Sequence, residues 1–224
     1  SATTCERPSS GPTCAGTSTA PEPEIPVAEG APPQLVLDAA GLRREVARVG
    51  AAVSADHPDG VVLVGLLKGS VLLLADLARR LTVPARLDLV AVTAYDGTEG
   101  RIRVVKDLDR TVAGQPVVLV TGIVDTGFTA DYLRRHLEAA GATSIRIATV
   151  ADKAARRLLP VEPDYAVVAA PDRFLVGYGL DYRGRYRNLP DLWAVDGDDL
   201  VDRPDRHVTA LYGRAGSDGG TLAR

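Results

Sequence analysis

Residues 117–129 read Val-Val-Leu-Val-Thr-Gly-Ile-Val-Asp-Thr-Gly-Phe-Thr, and the reading of this stretch decides the fold. Its first eight residues, Val117–Val124, are mostly apolar and rich in β-branched side chains, the pattern of a strand buried on both faces. Asp125-Thr126-Gly127-Phe128 follows as a loop, and from Thr129 to Ala140 the apolar residues recur at helical spacing until Gly141 stops them. A strand that runs through a short loop into a helix is the repeating unit of parallel sheets. In such a loop the successive backbone N–H groups and the helix N-terminus cradle a phosphate; Thr126 and Thr129 hydroxyls are extra donors, and Gly127 lets the backbone approach closely. Taken alone, Asp125 is explained equally well as a helix N-cap.

The same order recurs on either side. Upstream, Leu42, Val46, Val49 and Val53 predict a helix over about 38–55. Then come an apolar strand at Val61–Leu67, the loop Lys68-Gly69-Ser70, a helix ending near Leu81 and a strand at Leu87–Thr93. Downstream, strands are expected at Ile145–Ala151, Tyr165–Ala170 and, more briefly, Leu192–Val195. Strands alternating with helices imply an α/β fold, a parallel sheet flanked by helices on both faces. The alternation is interrupted at 95–110, where Gly97 and Gly100 stand among charges ahead of an Ile-x-Val pattern; a mobile hairpin is expected there.

The 224 residues, 46% hydrophobic and 25% charged, accommodate one domain with tails and argue against global disorder. Residues 1–33, rich in Ser, Thr, Pro, Gly, Ala and Glu, are expected to be a disordered arm, 34–200 the domain, and 201–224 a polar tail. A formal net charge of -3 argues against a protein that coats nucleic acid through bulk positive charge. Both cysteines, Cys5 and Cys14, lie in the arm, which suits a reducing compartment and makes the cytoplasm the default location. No apolar run reaches the roughly 18 residues that span a bilayer, so no membrane partner is expected.

A second loop, Gly65-Leu66-Leu67-Lys68-Gly69-Ser70, also follows a strand. Farther on stand Phe174-Leu175-Val176-Gly177-Tyr178-Gly179-Leu180-Asp181-Tyr182 and Arg185-Tyr186-Arg187-Asn188-Leu189-Pro190. In order and spacing these segments resemble the hypoxanthine-guanine phosphoribosyltransferases over roughly residues 35 to 200. The resemblance implies a type I phosphoribosyltransferase core with a small hood, formed by the segment around 165–195 and the first helix, and a flexible lid at 95–110. It implies a reaction in which a 6-oxopurine attacks C1 of phosphoribosyl diphosphate and pyrophosphate leaves, aided by Mg2+.

Position by position, the resemblance gives Lys68, Gly69 and Ser70 to the pyrophosphate loop, with a cis peptide before the lysine. It places Thr126, Gly127, Phe128 and Thr129 around the 5′-phosphate and Asp125 beside the purine N7, assisting proton transfer. Lys153 falls to the 6-oxo group, Phe174 to the purine face, Leu175 to the purine edge, and Asp181 to the base pocket and the Mg2+. Arg187 holds pyrophosphate, and Tyr95 belongs to the lid. Asp125, Lys68 and Arg187 are thus the implied catalytic set, and a homodimer or homotetramer is the implied assembly.

One departure is central. The family carries two adjacent acidic residues, accepting from the ribose hydroxyls, where this chain has Thr121-Gly122. Losing both forfeits charge-assisted hydrogen bonds worth about 1.5–3 kcal/mol each. The exchange also suggests room beside the phosphate loop for a bulkier or less hydroxylated group than ribose. A second function class follows: a same-scaffold enzyme performing transfer or elimination on another phosphorylated substrate in a specialised pathway. A nucleotide-binding sensor is a third. A milder departure is Ala94-Tyr95 in place of a Ser-Tyr pair on the lid.

Overall fold

The computed structural model describes residues 31–93 and 102–215. A six-stranded sheet contains β2 (Val61–Leu66), β3 (Ala85–Val92), β4 (Val104–Lys106), β5 (Pro116–Val124), β6 (Ser144–Asp152) and β7 (Tyr165–Ala169), in the order β4-β3-β2-β5-β6-β7. Every neighbouring pair is parallel except β3 with β4. Helices α1 (Ala39–Asp56) and α2 (Val71–Ala78) pack on one face and α3 (Phe128–Ala139) on the other, the α/β class that the sequence predicts. A three-stranded antiparallel sheet, β1 (Gln34–Leu37), β9 (Leu192–Val195) and β8 (Phe174–Val176) in that order, forms a hood. Two short helices, α4 (Gly197–Asp202) and α5 (Val208–Ala215), complete the described chain.

Alternation along the two central strands divides the core. Leu63, Val118 and Val120 pack with Leu42, Val46, Val49 and Val53 of α1 and Leu73 and Leu77 of α2. Their sequence neighbours Val62, Val64, Val117 and Leu119 pack with Leu133 and Leu137 of α3. Each strand is therefore apolar at nearly every position. At the start of α1, the Asp38 carboxylate accepts from Gly41 N at 2.6 Å, and Asp191, just before β9, accepts from Ala39 N at 2.7 Å. Two carboxylates thus satisfy N–H groups at the positive end of the helix, one of them from the hood.

Connections run outward in opposite directions from the centre: β2 through α2 to β3, and β5 through α3 to β6. The order of strands reverses between β2 and β5, and the crevice at their carboxyl ends is where such sheets bind ligands.

The structure corrects several expectations. Helix α1 belongs to the core rather than the hood, because its apolar stripe is spent on the central sheet; β7 is likewise a core strand. The expected tail after residue 200 contains α5, whose Leu211 is buried with Leu200 of α4, Trp193, Tyr186 and Val176. Each of these two-turn helices contributes few anchors, too few to make a periodic signal. The second helix ends at Ala78, short of Leu81, and β1 and β8 are added strands. Residues 1–30, 94–101 and 216–224 lie outside the described residues, so nearly all of the expected arm, the Ala94-Tyr95 pair with the first part of the lid, and the end of the tail lie outside them too. Among the described residues no helix is long and apolar enough to cross a membrane.

The chain returning from 95–110 is fastened by Asp88. This buried β3 carboxylate accepts from the backbone N–H groups of Leu89 (2.8 Å), Asp109 (3.1 Å) and Arg110 (3.3 Å). Burial pushes its pKa up, but these N–H donors and the nearby Lys106 charge prevail and hold it below the ordinary 3.8. A depressed folded-state pKa contributes stability that is present above 3.8 and is lost as pH falls through the lower folded value. Urea denaturation of Asp88→Asn is expected to show a loss of about 1–3 kcal/mol at neutral pH. The variant should also lack this acid-dependent component.

Candidate active site

Two loops border the crevice. After β2, the Leu67–Lys68 peptide is cis, the Lys68 side chain is exposed, and Gly69 comes close to Gly122 on β5. Ser70 turns inward: its buried Oγ donates to Leu66 O at 2.7 Å, a bond within the loop itself. After β5, residues 125–127 lead into α3 with Gly127 as its N-cap at φ +94°. A β-carbon there would lie 3.2 Å from Leu159 O in a conformation that L side chains avoid. Asp125, Thr126, Gly127 and Thr129 line a cavity of about 180 Å³ with Leu66, Thr121 and Ile123. Phe128 is exposed at the start of α3 and does not line it.

Arg157 fixes this loop from behind. Its Nε donates to Asp125 O at 2.8 Å and its Nη2 to Val124 O at 3.4 Å, while the guanidinium also reaches Asp152 and Val161 O. Thr126 O accepts from both Leu158 N and Leu159 N at 3.0 Å. The donors of one mostly buried fork thus meet four acceptors, an arrangement that suits a rigid guanidinium and not an ammonium.

A larger cavity of about 380 Å³ adjoins the first and shares Ile123 and Asp125 with it. Lys68, Gly69, Lys153, Phe174, Leu175, Asp181 and Arg187 line it, so the sequence-predicted residues of three distant segments meet here. Lys153 is only 4% exposed; burial pushes its pKa down, against the pull of the Asp125 charge. Asp125 Oδ1 is shut off from solvent and lies 3.2 Å from Arg156 Nε. Arg187 Nη2 pairs with Asp181 Oδ1 at 2.6 Å, and its Nη1 donates to Gly179 O at 2.6 Å. Asp181 Oδ2 accepts from Gly184 N at 2.7 Å. The half-buried Phe174 ring meets Tyr182 edge-on, with centroids 5.5 Å apart. The Leu175 side chain is buried, but β8 is an edge strand, so part of its backbone is free of β9 and available to a ligand.

Arg156, Arg157, Ile123 and Leu180 escaped the sequence reading. The two arginines stand just after Lys153, and that clustering was the available signal; which one faces the cavity depends on the turn Ala154–Arg156. The room expected at Thr121-Gly122 is also absent. A β-carbon on Gly122 would lie 2.8 Å from Leu180 Cδ2 and 3.1 Å from Gly69 O, so the hood leucine and the β2 loop fill that space. Thr121 is buried, and its Oγ1 donates to Ile123 O at 3.4 Å.

A phosphate-shaped loop at the switch point of a parallel sheet, a cis-peptide loop facing it and a hood over the cavity between them define a type I phosphoribosyltransferase fold. Residues 42–183 match the family model for the phosphoribosyl transferase domain. A hypoxanthine-guanine phosphoribosyltransferase of Streptococcus agalactiae is 38% identical over 146 residues, 63% of this chain and 81% of that protein. A hypoxanthine phosphoribosyltransferase structure from Staphylococcus aureus is 31% identical with a TM-score of 0.70, covering 74% of this chain and 92% of that one. A Trypanosoma cruzi hypoxanthine phosphoribosyl transferase structure is 29% identical with a TM-score of 0.72, covering 82% and 99%. The chain belongs to the hypoxanthine-guanine phosphoribosyltransferase family, a family of transferases.

Arg157→Lys keeps the charge and loses the fork. It is expected to weaken inorganic phosphate binding about tenfold or more, measured by calorimetry.

Proposed function

We propose that the chain transfers a phosphoribosyl group from phosphoribosyl diphosphate to a 6-oxopurine and releases pyrophosphate. The observation that carries this reading is the pair of anion-binding loops, 67–70 and 125–129, flanking one crevice that continues into a cavity with a buried lysine and an aromatic face. The relatives' names supply the substrates.

In this reading the N–H groups at the start of α3 hold the 5′-phosphate. Lys68, the Gly69 backbone and Arg187 hold the diphosphate, and Phe174 covers the purine. Lys153 donates to the 6-oxo group, and the edge of β8 meets the rim of the base. Asp125 stands where the sugar and base cavities join and handles the proton on the purine ring. As the C1–O bond to diphosphate weakens and the bond to the base nitrogen forms, positive charge on the sugar is stabilised by the Asp125 carboxylate.

Asp181 fits a Mg2+ that is shared with substrate. Among the described residues no group of three His, Cys, Asp or Glu side chains makes a protein-only site, whereas one carboxylate beside diphosphate oxygens and waters suits this ion. When bound, the ion neutralises charge on the leaving diphosphate. Arg187 holds Asp181 at 2.6 Å, so diphosphate, by drawing Arg187 to itself, frees the carboxylate. The active assembly is a homodimer or homotetramer, for which exposed Val71 and Leu72 on α2 offer apolar surface.

Phosphoribosyl diphosphate, Mg2+ and hypoxanthine or guanine should yield nucleotide and pyrophosphate; folded protein that yields neither overturns the proposal. Lys153→Met is expected to lower kcat/KM for hypoxanthine by about 100-fold or more. The same variant should melt higher at neutral pH. A lysine whose folded pKa lies below its ordinary 10.5 costs stability below that value, and in full below the folded one.

A further inference from the structure

We infer that the sugar subsite does not read the 2-hydroxyl, so that ribose and 2-deoxyribose 5′-phosphate compounds bind with nearly equal affinity. The inference rests on the proposed function, which places a phosphate at 126–129 and a base beside Lys153 and Phe174. The two cavities meet at Ile123 and Asp125, so a sugar joining phosphate to base lies over those residues and the end of β5.

Apart from Asp125 and the Thr121 hydroxyl, the surface beneath that sugar is apolar. Leu66, Ile123 and Leu180 supply its side chains, and Gly122 supplies none. No side chain can grow from residue 122 into the sugar site without displacing Leu180, whose Cδ2 would be 2.8 Å from the new β-carbon. Thr121 Oγ1 is turned to Ile123 O. Among the described residues, the carboxylates lining either cavity are Asp125, which the proposed function assigns to the proton on the purine ring, and Asp181. Asp125 Oδ1 lies against Arg156, while Asp181 is held on one oxygen by Arg187 and on the other by Gly184 N. Once diphosphate draws Arg187 away, Asp181 would serve the Mg2+.

A hydroxyl that faces the Gly122 wall loses water and gains no charged acceptor there. Sites built to hydrogen-bond a substrate hydroxyl reject the analogue lacking it by orders of magnitude, because their own polar groups are left unpaired. An apolar wall has no group to leave unpaired and discriminates weakly.

The test is calorimetric titration of the full chain with inosine 5′-monophosphate and 2′-deoxyinosine 5′-monophosphate. Dissociation constants within about threefold of each other are expected; a preference of 30-fold or more for the ribonucleotide overturns the inference and leaves the proposed function standing. Failure of folded protein to bind either nucleotide overturns both. Gly122→Asp combined with Leu180→Ala places a carboxylate at the wall and removes the side chain nearest its β-carbon, with Gly69 O left 3.1 Å away. This variant is expected to favour the ribonucleotide by tenfold or more, and a folded variant that still binds the two equally would overturn the assignment of selectivity to this wall.

Discussion

Strands β2 and β5 have no face toward water. Helices α1 and α2 close one side and α3 the other, so the chain must leave the two strands in opposite directions to supply both layers. That requirement sets the crevice between their carboxyl ends. It puts the 67–70 and 125–129 loops on opposite banks, and it leaves their backbone donors as the polar groups at the rim of an otherwise apolar sheet. The hood completes the enclosure, and Asp191 attaches it to the start of α1 rather than to the crevice itself.

Charge in the site is organised in internal pairs. Asp181 with Arg187, Asp125 with Arg156 and Asp152 with Arg157 each bring a carboxylate to a guanidinium, and only the last is remote from the cavities. Near a protein surface such pairs are modest in energy and can be exchanged for a better partner. A polyanionic substrate is a better partner for Arg187. In the proposed function Arg187 is therefore kept in place beforehand by a carboxylate that the substrate displaces, and buried Lys153 lines the same cavity.

Long apolar segments made the core legible from sequence. The strand β9 occupies the Leu192–Val195 range that the sequence predicts, and β5 and α3 differ from expectation by a single residue at their starts and, for α3, also at its end. The hood was harder, because β1 and β8 are four and three residues long and α4 and α5 six and eight; segments of that size carry no clear period. In the candidate site, the motif residues Lys68, Asp125 and Phe174 that the sequence names line one cavity. Leu180 was not singled out, since its role is to fill a volume defined by Gly122 and Gly69, and that volume exists only once the hood is docked.

Arg157 has a kinetic and entropic meaning as well as a geometric one. A loop of this kind, left to itself, samples many backbone conformations, and ordering each residue costs about 1–2 kcal/mol. Here the guanidinium holds the carbonyls of Val124 and Asp125 while Leu158 and Leu159 hold that of Thr126, so the ordering is completed when the chain folds. In the proposed function an arriving phosphate would meet amides already held in place, and little of its binding energy would be diverted to arranging them.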